Sequence, residues 1–345
     1  MTEQASPKTC WVVSDGRAGI ENQALGLAEA VARLVPLDIT VKRIAVKSPW
    51  RSLPMRIWGA RPFGKLDSVK NREGEEDPAG LRPPWPDLWI GSGRTSVPFS
   101  IAMRHSRSSF VVQTQDPRQG LDGFDLIIPP YHDGVSGTNV IPIHGAPTRL
   151  TDDMLARDAA MLEQALPALP RPRVAVLIGG DSKAYRMTPA VMETIIATLT
   201  ELAESGAGLM ITTSRRTGED NSAALRAALA GRDNVFFWGG KPVGALANPY
   251  AGMLGLADHI LVTEESTNMV TEAASTGKPV HILALERGNA KFRSFHDSLA
   301  RQGITKPVSL PLESWSYPPL RETDRAAKEI VKRWLGKDAL ASQQT

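Results

Sequence analysis

A polar, acidic segment directly follows one of the apolar runs of the chain. Residues 263–268 (TEESTN) come after the run 259–262 (HILV) and open a predicted helix over 267–276. The first backbone N–H groups of a helix have no acceptor within it and favour anions, so Ser266 and Thr267 can present donors to a phosphate. A simple helix cap by either residue is the alternative. The segment therefore indicates either an anion site or an ordinary helix start.

The two carboxylates of this segment do not suit a phosphate. Glu264 and Glu265 carry the same sign of charge as a diphosphate and would repel it. They predict contacts to sugar hydroxyls instead, or a ligand other than a nucleotide.

Other loops in the second half of the chain carry residues that suit a diphosphate. The pair Gly179-Gly180 lets the backbone approach a ligand closely and offer its N–H groups, and Arg215-Arg216 adds two guanidinium groups. Together with the hydroxyl-headed helix, these loops predict a diphosphate site. The residues of the second half assigned to ligand contact, with Glu265 for a part of the ligand other than the phosphates, are Gly179, Gly180, Asp181, Ser214, Arg215, Arg216, Glu265, Ser266, Thr267 and Asn268.

Glycine-containing loops also follow the apolar runs of the first half. They are residues 14–19 (SDGRAG) and 91–94 (GSGR). The second loop falls short of the dinucleotide fingerprint G-x-G-x-x-G because Ser96 stands at the last glycine, so it is weak support for NAD. The residues of the first half assigned to ligand contact are Gly16, Arg17, Gly19, Asn22, Gln23, Gly91 and Arg94.

Short apolar runs that alternate with amphipathic helical stretches must position these loops. Runs rich in Val, Ile and Leu without alternation are typical of strands buried on both faces of a parallel sheet. The pattern occurs twice and predicts an α/β fold of two Rossmann-like, doubly wound parallel-sheet domains that face each other across a cleft. The predicted strands cover residues 11–13, 39–46, 88–90, 110–112, 126–128, 140–143, 174–178, 209–211, 235–238, 260–262 and 280–283.

The domain boundaries follow from the proline-punctuated stretch between the halves. We expect an N-terminal domain over 1–150, a linker over 151–172, a C-terminal domain over 173–320, and a helix with a tail over 321–345. The hydrophilic insert 67–86 predicts a mobile surface loop.

Composition excludes several classes of protein. The single cysteine, Cys10, excludes a disulfide framework and a cysteine-based zinc site. The amino-terminal residues lack an apolar core, and no apolar run approaches the roughly 18 residues of a membrane helix, so we expect a cytoplasmic protein. A net charge of +3 gives no argument for nucleic acid. Residues 41–66, however, hold seven basic and no acidic side chains, interleaved with Trp50, Met55, Trp58 and Phe63. They predict either a solvated loop or peripheral contact with an anionic membrane.

The residues after these runs resemble two known groups of proteins. Segment 257–280, with its Ser/Thr turn and internal glutamate, resembles the donor site of GT-B glycosyltransferases, whose turn contacts nucleotide-sugar phosphates and whose glutamate binds the ribose hydroxyls. Glu272 matches that glutamate. Nearly the whole chain, from about Trp11 to Pro307, resembles the mitochondrial fission (elongated-mitochondria) family, whose bacterial members are often labelled nucleoside-diphosphate-sugar epimerases. The motifs that carry this resemblance are 14–19 with 22–23, 91–94, 115–118, 179–182 and 263–266.

The resemblance implies a GT-B-like fold and a nucleotide-sugar co-substrate, with no tightly bound cofactor or metal. Three functions remain open. A glycosyltransferase would use a lipid or glycan acceptor bound by the first half, and an inverting reaction would need a base there, for which Glu21, Asp116 and His132 are candidates. A nucleoside-diphosphate-sugar epimerase would need acid and base groups around one sugar. A non-catalytic scaffold would use its surface to bind a membrane or a partner.

Overall fold

The computed structural model describes residues 6–54, 57, 59 and 61–336. The described residues form two compact units, one made of the residues up to Arg149 together with those from Arg321 onward, the other of Leu150–Leu320. Each unit contains one six-stranded sheet, so the predicted α/β fold with two parallel-sheet domains is confirmed.

The sheet of the first unit has the strand order β3-β2-β1-β4-β5-β6. All neighbouring strands are parallel except the edge strand β3, which runs antiparallel to β2. The central strands are apolar and buried, as expected of a parallel sheet covered by helices on both faces. The elements are β1 (Lys8–Ser14), α1 (Ala18–Ala32), β2 (Leu37–Val46), β3 (Leu66–Lys70), β4 (Leu88–Ser92), α2 (Val97–Ser106), β5 (Phe110–Thr114) and β6 (Leu126–Ile128).

Two sequence predictions for this unit were wrong. The insert over 67–86 is not a loop throughout, because β3 pairs with β2 and buries Val69, while Asp77 forms an ion pair with the buried Lys42. The strand was not predicted because the insert contains many charged residues. The predicted strand over 140–143 forms only isolated bridges, since Pro142 has no N–H for a ladder.

The sheet of the second unit has the order β10-β9-β7-β11-β12-β14, and all its neighbouring strands are parallel. When the strands of each sheet are numbered along the chain, both sheets have the order 3-2-1-4-5-6. A short antiparallel pair, β8 with β13, lies outside it. The elements are α3 (Asp152–Ala165), β7 (Arg173–Ile178), β8 (Tyr185–Arg186), α4 (Pro189–Glu204), β9 (Gly208–Thr213), α5 (Glu219–Ala228), β10 (Val235–Trp238), α6 (Tyr250–Leu256), β11 (His259–Thr263), α7 (Thr267–Ala274), β12 (Val280–Leu283), β13 (Glu286–Arg287), α8 (Ala290–Arg301) and β14 (Thr305–Pro307).

The stretch 151–172, which was predicted as a linker, contains α3, and this helix packs in the second unit. Leu155 and Leu162 of α3 are buried in the core that also contains Met253 of α6. Two glycines of α6 make this packing possible, because a Cβ on Gly255 would lie 2.3 Å from the carbonyl oxygen of Leu155.

The helix α9 (Glu322–Leu335) returns to the first unit. It buries Ala326, Ile330 and Val331 in the core of that unit, so the helix that the sequence predicted over 321–345 packs on the first unit. None of the helices within the described ranges is both long and apolar enough to cross a membrane.

In both sheets the strand order reverses beside the first strand, between β1 and β4 and between β7 and β11. Loops that leave the carboxyl ends of such strands diverge to opposite faces of the sheet, and ligands of doubly wound folds bind in the opening between them. Of the loops singled out in the sequence, those that follow β1, β4, β7 and β11 stand at these two places.

Candidate functional site

Three loops meet at the reversal of strand order in the second sheet. They follow β7, β9 and β11, and backbone contacts join the first two, since the N–H of Asp181 donates to the carbonyl of Arg216 over 3.1 Å. The hydroxyl of Thr217 donates to the carbonyl oxygens of Ile178 and Gly179. The loops are therefore held together before any ligand is considered.

Glu265, from the third loop, lies at the centre of this arrangement. Its side chain is fully buried, and Oε1 accepts hydrogen bonds from the N–H of Gly180 over 2.9 Å and from Nη2 of Arg216 over 3.1 Å. Oε2 is buried and accepts no hydrogen bond from the residues that the structure describes. Burial raises the pKa of Glu265, and the bond from Gly180 and the charge of Arg216 oppose that rise only in part.

The Gly179-Gly180 pair is required by this packing. A Cβ on Gly179 would lie 1.7 Å from Oε1 of Glu265, and one on Gly180 would lie 2.0 Å from the carbonyl oxygen of Arg216. The N–H of Gly179 donates to the hydroxyl of Thr263 over 2.8 Å. Both glycine amides thus have acceptors within the protein, which differs from their predicted use as donors to a diphosphate.

Glu264 also turns into the protein. Its Oε1 accepts the N–H of Leu285 over 2.6 Å, and its carbonyl oxygen accepts from Nε2 of His296 over 2.8 Å. Both carboxylates of the segment therefore accept hydrogen bonds from groups within the protein.

The helix α7 begins at this junction. Ser266 caps it by accepting the N–H of Met269 over 3.4 Å, and Thr267 and Asn268, both half-buried, form its first turn. One and a half turns further on, Oε2 of Glu272 accepts a hydrogen bond of 2.8 Å from the hydroxyl of Tyr250. Burial raises the pKa of Glu272 to about 7, although the bond from Tyr250 acts in the opposite direction.

The remaining predicted residues of the second unit have separate surroundings. Ser214 caps the turn Arg215–Thr217 by accepting the N–H of Arg216. Asp181 accepts the N–H of Met187 over 2.8 Å. Arg215 is exposed and lines a cavity of about 470 Å³ between the ends of β9 and β10.

The corresponding edge of the first sheet carries a partly buried ion pair. Glu21 accepts two bonds of 2.7 Å from Arg43, one to each carboxylate oxygen, and a third from the hydroxyl of Ser14. Gly16 beside it has a φ of 76°, and its Cβ would crowd the side chain of Arg43 at 3.2 Å. Glu21 was a predicted catalytic base, and the structure places it in a bidentate pair.

The other predicted residues of this unit are spread over several loops. Arg17 pairs with Asp15 over 2.8 Å, while Gln23 is buried and accepts a bond of 2.8 Å from Gln115. Gly91 lies inside β4, where a Cβ would meet the hydroxyl of Ser100 at 2.3 Å. Gly19, Asn22 and Arg94 are exposed.

Asp116 and His132, the other two predicted bases, follow β5 and β6. Asp116 is half-buried and accepts the N–H of Arg118 over 2.7 Å, in a loop where Gln115 and Arg118 both have positive φ angles. Nε2 of His132 lies 3.9 Å from a carboxylate oxygen of Asp133. The three candidate bases thus stand in different loops with different partners.

The sequence model of the Mitochondrial fission ELM1 family matches residues 18–334 of this chain. The chain belongs to this family. It is 29% identical over 273 residues to the mitochondrial fission protein ELM1 of Arabidopsis thaliana, a match that spans 71% of this chain but only 63% of the plant protein. It is 26% identical over 361 residues to the uncharacterized protein RP120 of Rickettsia prowazekii, covering 93% of this chain and 97% of that protein.

Among solved structures, this ELM1 family member resembles the UDP-GlcNAc 2-epimerase of Methanocaldococcus jannaschii in complex with UDP-GlcNAc and UDP. The identity is 10%, the likeness covers 94% of this chain and 98% of that chain, and the TM-score is 0.51. At this identity the likeness concerns the fold, and it confirms the predicted GT-B-like architecture.

Sequence reasoning missed three residues that shape these sites in the ELM1 family member. Tyr250, Arg43 and Arg226 contact Glu272, Glu21 and the ring of Phe237 respectively. Arg43 lies in the predicted strand 39–46, so its position near the end of that strand could have indicated a role at the site. Tyr250 and Arg226 lie in stretches with no motif.

Within the described residues, no group of three or more His, Cys, Asp or Glu side chains is arranged to hold a metal ion.

Proposed function

We propose that this ELM1 family protein binds a nucleotide sugar through its second unit and transfers the sugar to an acceptor. The observation that carries the proposal is the Glu272 carboxyl group, half-buried, fixed by Tyr250, and placed on the helix that begins at the strand reversal. A carboxylate in this position can accept hydrogen bonds from the two hydroxyls of a ribose.

The diphosphate would lie at the start of α7, beside Arg216. The first N–H groups of a helix and a guanidinium group both favour anions. Arg216 is half-exposed although it pairs with Glu265, so part of its guanidinium group faces solvent. Negative charge grows on the diphosphate as the sugar leaves, and donors already fixed at that position stabilise it most effectively.

The first unit would carry the acceptor, a lipid or a glycan. If the transfer inverts the sugar, Asp116 is a better candidate base than Glu21, because both oxygens of Glu21 are bound by Arg43. A nucleoside-diphosphate-sugar epimerase is the alternative reaction for the same nucleotide site. It is supported by the fold shared with an epimerase solved with UDP-GlcNAc and UDP.

Nucleotide binding can be tested by isothermal titration calorimetry with UDP, GDP, ADP and CMP. We expect one of them to bind, and Glu272→Ala and Arg216→Ala each to weaken that binding about tenfold or more, since each removes a charge-assisted hydrogen bond. Glu193→Ala, an exposed carboxylate on α4, is the matched control and should bind as the wild type does. Absence of binding by all four nucleotides at millimolar concentration would remove the proposal. Analysis of the sugar products then separates transfer from epimerisation.

A second candidate function, peripheral membrane contact, is favoured by one surface feature. Leu53 and Ile57 are exposed apolar side chains, 36% and 55% accessible, and exposed Lys47, Arg51 and Arg61 accompany them. The predicted basic surface over 41–66 is smaller than its sequence suggested. Lys42 and Arg43 are paired with Asp77 and Glu21, and Phe63 packs on Phe99. Met55 and Trp58 lie outside the described residues.

Sedimentation with lipid vesicles tests this candidate. Binding to vesicles that contain phosphatidylglycerol, but not to neutral phosphatidylcholine vesicles, is expected. It should decrease in Leu53→Ser/Ile57→Ser, because both changes remove apolar contact area. Equal sedimentation of both proteins would contradict membrane contact through this surface.

A further inference from the structure

Arg215 and Arg216 are neighbours in the chain, but their guanidinium groups have different surroundings. Arg216 binds Glu265 at the junction of the three loops. Arg215 instead lines the cavity of about 470 Å³ between the carboxyl ends of β9 and β10. The volume lies within the roughly 300–1,000 Å³ of small-molecule sites. The two arginines were predicted to act at one site, but in the structure they contact different surroundings.

A second arginine, Arg226 of α5, lines the same cavity. Its guanidinium carbon lies 3.8 Å from the centre of the Phe237 ring, so one face of the group rests on an aromatic surface. Contact through the face leaves the N–H groups at its edge for other partners. Gly239 has no side chain to cover that edge, and a Cβ there would make van der Waals contact with Nη2 of Arg226 at 3.6 Å.

The charges in this cavity are not balanced within the protein. Among the described residues, neither Arg215 nor Arg226 forms an ion pair or a hydrogen bond with another side chain. Glu219 is the one acidic residue of the lining, so the lining carries two positive charges against one negative charge. The hydroxyls of Thr213 and Ser222 add neutral donors.

We propose that this cavity binds a phosphate group, with Arg215 and Arg226 as its ligands. Guanidinium groups bind phosphate oxygens through paired, charge-assisted hydrogen bonds, and a group held flat against a ring loses less side-chain freedom when it does so. The phosphate belongs either to the nucleotide of the proposed function, whose diphosphate would then lie at Arg215 and Arg226 rather than beside Arg216, or to a second phosphorylated ligand. Only the first of these sources depends on the proposed function.

Inorganic pyrophosphate is the direct probe, titrated calorimetrically into the full chain at low ionic strength. We expect Arg226→Ala to weaken its affinity about tenfold, and Arg226→Lys to weaken it less, because lysine keeps the charge but loses the planar contact. Arg301→Ala removes one exposed charge from α8 and is the matched control. Equal losses in Arg226→Ala and Arg301→Ala would show a general charge effect and overturn the proposal, as would a wild type that binds no pyrophosphate at millimolar concentration.

Two further titrations identify the source of the phosphate. If it belongs to the nucleotide, Arg226→Ala weakens UDP but leaves uridine unchanged, whereas Glu272→Ala weakens both. If it belongs to a second ligand, Arg226→Ala leaves UDP unchanged, and pyrophosphate still binds to the UDP-saturated protein. A chain that binds pyrophosphate through Arg226 but binds no nucleotide would contradict the proposed function and keep this site. If Arg226→Ala changes neither nucleotide binding nor pyrophosphate binding, this site is contradicted and the proposed function is kept.

Discussion

The hydroxyl of Tyr250 donates a hydrogen bond of 2.8 Å to Oε2 of Glu272, and this bond joins the first residue of α6 to the middle of α7. Burial and the neighbouring carboxyl group raise the pKa of Tyr250 well above 10, so the phenol stays a donor at neutral pH. The same burial brings the pKa of Glu272 to about 7. The carboxyl group proposed to hold the ribose therefore changes its charge near physiological pH.

Nucleotide affinity should rise with pH through about 7. The carboxylate accepts hydrogen bonds from ribose hydroxyls better than the protonated acid, and its fraction increases as pH passes the pKa of Glu272. We expect affinity about tenfold weaker one unit below this pKa than at the plateau above it. Calorimetric titrations from about pH 6 to about pH 8 measure the effect.

Two variants assign this dependence to the pair. Glu272→Gln cannot ionise, so its affinity should be flat over the same range. Tyr250→Phe removes a hydrogen bond that lowers the pKa of Glu272, so the rise should move to higher pH. A wild-type profile without slope would mean that Glu272 does not contact the nucleotide in its ionised form.

Most of this fold could be predicted from the sequence, because buried parallel strands are continuous apolar runs. The strands of the two six-stranded sheets that were missed lie at sheet edges. Both β3 and β14 pair on one side only, and their sequences, LDSVK and TKP, carry too few apolar residues to mark them. These segments form strands because they pair with another strand of the sheet, and that pairing leaves no pattern in their own sequences.

The candidate site could be predicted only as a set of loops. The strand ends were correct, and so was the start of α7 at Ser266. The direction of each side chain could not be predicted, because it depends on contacts between loops. Glu265 turns inward since Gly179 leaves space for it and Arg216 pairs with it, and these residues are distant in the sequence.

Glu265 should stabilise the fold through its shape and its hydrogen bonds more than through its charge. Glu265→Ala leaves the buried N–H of Gly180 without its acceptor and opens a cavity, so we expect a loss of about 2–4 kcal/mol in the free energy of unfolding. Glu265→Gln keeps an acceptor oxygen and should remain within about 1 kcal/mol of the wild type. Urea unfolding measures both.

The pH dependence of these variants has a defined sign. Burial raises the pKa of Glu265 in the folded state, so its contribution to stability is greatest below the unfolded-state value and is lost as pH rises through the folded-state pKa. Stability of Glu265→Gln relative to the wild type should therefore increase from about pH 5 to about pH 8. The exposed Glu193→Gln should show no such trend, and a parallel trend in both would contradict the assignment.

Glu21 should behave as half of a structural ion pair. We expect Glu21→Ala and Arg43→Ala each to lower the free energy of unfolding by about 2–3 kcal/mol, since each leaves the other charge without its partner. The double variant should cost clearly less than the sum, with a coupling above about 1 kcal/mol. If Glu21 is instead a catalytic base, Glu21→Gln abolishes turnover while stability stays unchanged and the two single costs are additive.

The second unit should lose stability in acid because of two buried histidines. Nδ1 of His259 lies 3.2 Å from Nε2 of His281, and burial lowers the pKa of both rings, that of His281 to about 4. The charge of Glu313 raises the pKa of His281 and that of Lys306 lowers it. A depressed folded-state pKa gives stability that is present above the unfolded value of 6.5 and is lost as pH falls towards about 4.

His281→Gln should reduce this acid sensitivity. The variant cannot be protonated in that range, and its amide can still form a hydrogen bond to His259. We expect the wild type to lose about 2 kcal/mol through His281 between about pH 7 and about pH 5, and the variant to lose correspondingly less. Urea unfolding at about pH 7 and about pH 5 makes the comparison, with the exposed His105→Gln as control. An equal acid loss in wild type and His281→Gln would assign the sensitivity to other groups, because His281 could then not be the ring that resists protonation.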